Sequence, residues 1–202
     1  MMLINFNKIQ TESFLKELIL NTISTMQLSS RSKLLLVFLL SLTCIGCDRV
    51  TKDLAKEHLK GKEMIHYLNK TVTLVYVENK GAFMSMGADW SDSLSFWTLT
   101  VLPILVMVAF AYYILRNYKK LPTVQLAAWV MVFSGGIGNL IDRVLFDRHV
   151  TDFILLGVPG FQTGIFNVAD VFVTTGAILL LSHSFLAAIK KKPENDNGTA
   201  TS

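Results

Sequence analysis

Four long apolar stretches constrain this chain more than any other feature, because a helix that covers them with water has nowhere to hide its side chains. A helix that crosses a bilayer needs about 20 mainly apolar residues, since the hydrocarbon layer is about 30 Å thick. Residues 34–47 are short for this, but residues 43–51 carry the segment into the headgroups. Residues 96–115 have full length, residues 124–140 reach it when extended to Val144, and residues 166–189 form the longest stretch. Hydrophobic residues make up 51% of the chain, and the mean hydropathy is +0.46. A soluble domain of this size rarely averages so apolar, so lipid is expected to cover much of the surface. The expected fold class is an all-α integral membrane protein with four transmembrane helices.

The net charge of +4 would suggest nucleic acid in a soluble protein. Here the basic residues flank the apolar spans: Arg31 and Lys33, then Arg116, Lys119 and Lys120, then Lys190, Lys191 and Lys192. These read as cytoplasmic anchors that place both termini inside, and no nucleic-acid partner is expected. The vote is divided, because the segment after the first span carries Arg49, Lys52, Lys56, Lys60, Lys62, Lys70 and Lys80. Its acids count for little under the same rule.

Cys44 and Cys47 form a C-x-x-C pair at the end of a hydrophobic helix, with no second pair and no nearby His. Packing is the expected role rather than redox or metal chemistry. The run from Arg31 to Cys47 also looks like a lipoprotein signal peptide, with Cys47 as the modified residue. Three further spans speak against that reading. Residues 1–30 are less apolar, with Phe14, Leu15, Leu18 and Ile19 at helical spacing and Met26 as an alternative start; they are assigned no function. The chain therefore divides into an N-terminal extension (1–30), a membrane domain (31–190) and a polar, disordered tail (191–202).

Helix one is expected over residues 33–50, followed by a polar segment over 51–95. Within it, residues 71–77 are β-branched and aromatic and read as a strand, with Gly81 and Gly87 marking turns on either side of residues 82–86. A small β-rich platform between helices one and two is expected on the membrane surface. Trp90 and Trp97 bracket the entry to helix two, as interfacial aromatics do. Helix three holds Ser134-Gly135-Gly136-Ile137-Gly138, small residues that let a neighbouring backbone approach. Residues 142–165 form a second polar segment, broken by Pro159, Gly160 and Gly164.

Four spans put both termini on one side and both long polar segments on the other. The unusual polar residues then gather at one membrane face. Asp48 and Lys52 end helix one, Asn79 lies in the first polar segment, and Asn139, Asp142 and Arg143 end helix three. Asp152 lies in the second polar segment, and Asn167 and Asp170 open helix four. The i, i+3 and i, i+4 spacings put Asn139 with Asp142 and Arg143, and Asn167 with Asp170, on shared helix faces. An acid about one turn inside the bilayer, as Asp170 is, costs about 2.5–3.5 kcal/mol at the centre and less near the edge, so it should face the protein interior. An acid in a first helical turn also gains from the helix dipole, which is a purely structural reason for Asp170.

A carboxylate pair suits this set. Two acids held close cannot both ionise; they share a proton, so one can act as base toward water while the other protonates the scissile carbonyl and then the leaving amine. On spacing alone, Asp142 and Asp152 are rival partners for Asp170. His58, His66, His149 and His183 have no metal-ligand spacing, so no metal or cofactor is expected, and no G-x-S-x-G nucleophile motif is present. A small transporter using the interfacial acids as an ion site, and a non-catalytic lipoprotein or assembly factor, are the alternative classes.

At these residues the chain resembles the lipoprotein signal peptidases. The matching elements, in order, are Asp48-Arg49-Val50-Thr51-Lys52, Asn79-Lys80-Gly81-Ala82-Phe83, Gly138-Asn139-Leu140-Ile141-Asp142-Arg143, Val150-Thr151-Asp152-Phe153 and Phe166-Asn167-Val168-Ala169-Asp170. The resemblance implies that Asp152 and Asp170 are the catalytic pair of an aspartic endopeptidase. It implies binding by Asn139 and Arg143, with Asp142 orienting Arg143 and Asn167 fixing the protonation of the pair. Ala169, Asn79, Asp48 and Lys52 would support the site, and the first polar segment would be an extracytoplasmic cradle. The family often has a second Ala before the Phe of the second element; here the order is Gly81-Ala82-Phe83-Met84. The implied partners are precursors whose cysteine already carries diacylglycerol, cut just before that cysteine, and membrane lipid. The implied setting is a monomer in the bacterial inner membrane with its site near the outer face.

Overall fold

The computed structural model describes residues 28–81, 87, 89–158 and 160–191. The expectations placed on residues 1–27, on residues 82–86 and on the tail beyond residue 191 lie outside the described residues. The four expected spanning helices are present: α1 (Ser30–Leu59), α2 (Asp92–Asn117), α3 (Thr123–Leu145) and α4 (Val168–Lys191). A small antiparallel sheet accompanies them, with strands β1 (Ile65–Tyr67), β2 (Val72–Asn79), β3 (Val150–Val158) and β4 (Phe161–Gln162) in the order β1-β2-β3-β4.

Helix α1 starts at Ser29, whose hydroxyl accepts the Ser32 N–H at 3.1 Å, a side-chain cap for an otherwise orphaned donor. It does not stop near Val50, as its polarity suggested, but runs on to Leu59. Charged residues mark where lipid ends; they do not end a helix, and Lys, Ala, Leu and Glu are all good helix formers. The extension is held by packing, since Ala55 and Leu59 are buried with Phe153 of β3. Helix α2 contains a π-helical turn at Trp97–Val101, where the Leu102 N–H reaches back to the Trp97 carbonyl. Pro103 follows directly; it has no N–H to give, and its ring crowds the carbonyl four residues back, so the ladder is offset there.

The sheet is wider than the sequence suggested. The β-rich element was expected between the first two spans only, yet β3 and β4 come from the second polar segment. The second polar segment was read without a strand because the partner of residues 150–158 lies more than 70 residues away in the chain, in a pairing (Val72 with Leu156, Asn79 with Val150) that no local pattern reveals.

Helix α3 is the central helix and packs against α1, α2 and α4. Its small residues make this possible. A Cβ built on Gly135 would stand 2.5 Å from the Ala169 carbonyl oxygen, and one on Gly138 would stand 2.6 Å from a carboxylate oxygen of Asp48. On α4, Gly176 meets the Ala128 carbonyl of α3 at 2.6 Å in the same way. Large apolar side chains such as Phe38, Leu105, Leu181 and Phe185 point outward, the reverse of a soluble bundle and the pattern that lipid requires. At the end of the bundle away from the sheet, Ile114, Leu121, Leu126 and Val130 form a core cluster. Lys33, expected as an interfacial anchor, is instead buried there and donates to the carbonyls of Leu121 (2.6 Å) and Lys119 (3.2 Å), closing the α2–α3 loop.

Candidate active site

The residues singled out in the sequence meet where the sheet joins the ends of α1 and α3 and the start of α4. Asn167 immediately precedes α4. Its side-chain oxygen accepts the Asp170 N–H at 3.1 Å, and Asp170 Oδ2 accepts the Asn167 N–H at 3.1 Å. This reciprocal cap satisfies two orphaned donors and fixes the Asp170 carboxylate at the helix mouth. Asp152 comes from β3. It sits diagonally across from Asn79, which ends β2, and Asn79 Nδ2 donates to Asp152 Oδ2 at 2.9 Å. A register shift between Leu74 and Val77 sets that alignment.

Asn167 joins the two acids. Its Nδ2 donates to Asp152 Oδ1 at 2.6 Å, while its main-chain N–H serves Asp170. The same Nδ2 donates to Asn139 Oδ1 at 3.0 Å, and Asn139 Nδ2 donates to Asp170 Oδ1 at 2.8 Å. Each of the three amides is turned so that its NH2 faces a carboxylate. Its oxygen is held by another donor: the Gly81 N–H for Asn79, the Asp170 N–H for Asn167, and Lys52 Nζ with Asn167 Nδ2 for Asn139. Asp152 is only 3% exposed. Burial pushes its carboxyl up to about 6, and the Asp170 charge adds to this; the amide donors of Asn79 and Asn167 and the Lys52 ammonium offset part of the shift.

A layer of ion pairs lies beneath. Lys52 Nζ contacts Asp48 Oδ2 at 2.8 Å and Asp142 Oδ2 at 3.0 Å, with all three side chains buried. Asp48 Oδ1 accepts the Ala169 N–H at 2.9 Å, which ties α1 to the first turn of α4. Asp142 also accepts the Thr151 N–H at 3.0 Å and a bond from Arg49. The expectation that Asp142 orients Arg143 therefore fails. Neighbours in a helix point about 100° apart, so Asp142 turns to Lys52 and Arg49. Arg143 instead donates to the Gly81 carbonyl at 3.0 Å, and its buried Nε has no hydrogen-bond partner among the described residues. Arg49 was given no role of its own in the sequence; its i, i+3 spacing to Lys52 was the available signal, and in the structure it pairs with Asp142.

The site opens on one side to an apolar groove of about 310 Å³, which runs from Asp170 along Leu156, Ile165, Phe166 and Val171. Cys44 is buried and Cys47 exposed, and both are free thiols.

The family described as Signal peptidase (SPase) II matches residues 40–186. Among relatives, a protein of Treponema denticola described as a lipoprotein signal peptidase is 33% identical over 168 residues, covering 80% of this chain and 95% of its own. One of Fusobacterium nucleatum with the same description is 30% identical over 145 residues, covering 72% and 83%. A solved bacterial membrane enzyme is 26% identical with a TM-score of 0.61, covering 78% of this chain and 94% of its own. A family match that reaches into all four spans and takes in every residue of the gathered site leaves one assignment: the chain belongs to the signal peptidase II family.

Proposed function

We propose that this chain is an aspartic endopeptidase of the bacterial inner membrane. It removes the signal peptide from lipoprotein precursors whose cysteine already carries diacylglycerol, cutting just before that cysteine. The observation that carries the aspartic chemistry is Asn167, one residue bonded to both Asp152 and Asp170. Two carboxylates bridged in this way share one proton. The ionised member takes a proton from water, which attacks the scissile carbonyl carbon. The protonated member gives its proton to the carbonyl oxygen, and the collapsing intermediate then receives a proton at the leaving amine. The amides of Asn79, Asn139 and Asn167 hold both carboxylates in place before substrate arrives, so little reorganisation accompanies the reaction.

Arg143, with a buried N–H unpartnered among the described residues, supports a role in holding a substrate carbonyl. The apolar groove beside Asp170 supports entry of the precursor from the bilayer, which would meet much of the orientational cost through lipid anchoring. Action as a monomer is part of the same reading. The site belongs at the outer face, with both termini in the cytoplasm.

The test is cleavage of a lipidated precursor by purified protein in detergent. Asp152→Asn and Asp170→Asn should each lower the rate by at least about a thousandfold, in proportion to losing the acid–base pair. Unlipidated precursor should be cut far more slowly by the unsubstituted protein. Full rate in either Asn variant would remove the pair from the mechanism.

A further inference from the structure

Lys52 occupies a position that a bracing role does not explain. Its ammonium is buried and makes three contacts: Asp48 Oδ2 at 2.8 Å, Asp142 Oδ2 at 3.0 Å and Asn139 Oδ1 at 3.0 Å. The contact to Asn139 is a hydrogen bond, and the two to the carboxylates are ion pairs. The contact to Asn139 has a consequence one bond further on. With its oxygen held by Lys52 and Asn167, Asn139 can present only its NH2 to Asp170.

The charges tell the same story. Four carboxylates lie together here, those of Asp48, Asp142, Asp152 and Asp170, against the three cations Arg49, Lys52 and Arg143. One proton on the Asp152–Asp170 pair makes the cluster neutral. Uncompensated charge in a buried, lipid-flanked site is costly, so this occupancy is the favoured one. Other charged groups lie further out. Asp53 meets the outer side of Arg49 and is largely exposed. Lys56, Tyr76, Glu78, Asp147 and His149 line an open cleft beside Arg49 and Lys52, where water and salt screen them.

We propose that Lys52 is a positioning residue that holds the catalytic pair at one shared proton, through the Asn139 amide and through the charge balance of the cluster. This rests on the reading of Asp152 and Asp170 as that pair. Removing the Lys52 charge makes the pair bind protons more tightly. Both limbs of the kcat/KM profile then move to higher pH, and removing an acid moves them lower.

The experiment is the pH profile of cleavage of a lipidated precursor. Lys52→Met should move both limbs up by about one unit or more, the order expected for losing a nearby cation. Lys52→Arg keeps the charge but not the compact geometry, so its limbs should stay near their original pH while the rate falls. Asp48→Asn with Lys52→Met restores the balance and should bring the limbs back. Limbs unmoved in Lys52→Met, or not restored in the double variant, would overturn the proposal. Should Lys52→Met fail to fold, Asp48→Asn alone must shift the limbs downward, and unmoved limbs there overturn it equally. Failure of the underlying pair reads differently: Asp152→Asn or Asp170→Asn would then retain activity.

Discussion

Asp152 shows burial and chemistry pulling in opposite directions at a single residue. It is almost fully buried, and its carboxyl is held up at about 6 against an ordinary 3.8. A carboxyl that binds its proton more tightly folded than unfolded adds stability that is complete below about pH 4. That stability is lost as pH rises through about 6. The cost at neutral pH is on the order of 2–3 kcal/mol at most. Thermal unfolding in detergent should therefore show the unsubstituted protein gaining stability relative to Asp152→Asn as pH falls from 7 to 4.5. A constant difference across that range would mean that Asp152 titrates normally. The identity of the pair was only half legible in the sequence. Asp142 and Asp152 were equal partners for Asp170 on spacing, and the resemblance alone separated them. The structure adds an argument for the proposed pair: both oxygens of Asp142 are taken by Arg49, Lys52 and the Thr151 N–H. Which cation an acid meets depends on how three helices rotate against one another, and spacing within one helix does not encode that.

Among the elements, the apolar periods located four helices, because hydrocarbon imposes a length that composition records directly. They misplaced the end of α1 and passed over β3, since both depend on a partner: the extension on Phe153, the strand on β2. The glycines of α3 were legible as small residues, but their neighbours were not. Gly135 faces main-chain oxygen of α4, which cannot swing aside, so Gly135→Ala should force α3 and α4 apart and cost about 1–3 kcal/mol in detergent unfolding. Gly138→Ala presses on Asp48 Oδ2, the oxygen ion-paired with Lys52, and should lower activity along with stability. Gly46 on α1 is the control: a Cβ there meets nothing within 4 Å. Gly46→Ala should be neutral or raise stability by up to about 1 kcal/mol through helix propensity alone. Equal losses at Gly46 and Gly135 would show that close helix approach is not what these glycines provide.

For the whole molecule, the sidedness of the site is the property that sequence charge left divided, and the folded charges weigh on one side. At the sheet end Lys52 is buried, Arg49 is paired with Asp142, Lys60 with Glu78 and Arg148 with Asp92. At the other end the α2–α3 connection carries Arg116, Lys119 and Lys120, and residues 113–126 contain no acid. Unmatched cations favour the anionic cytoplasmic leaflet, each by about 1 kcal/mol near the surface. An end whose acids match or outnumber its cations has no such preference and is free to cross. Single cysteines can read this in a Cys47→Ser background, since Cys44 is only 1% exposed. Lys62 follows α1 at the sheet end and Lys119 lies in the opposite loop, and both are exposed. In spheroplasts a membrane-impermeant maleimide should label Lys62→Cys at once and Lys119→Cys only after the membrane is opened. The reverse pattern would put Asp152 and Asp170 on the cytoplasmic side, away from any precursor that has already been exported, and the outer-face assignment would fall with it.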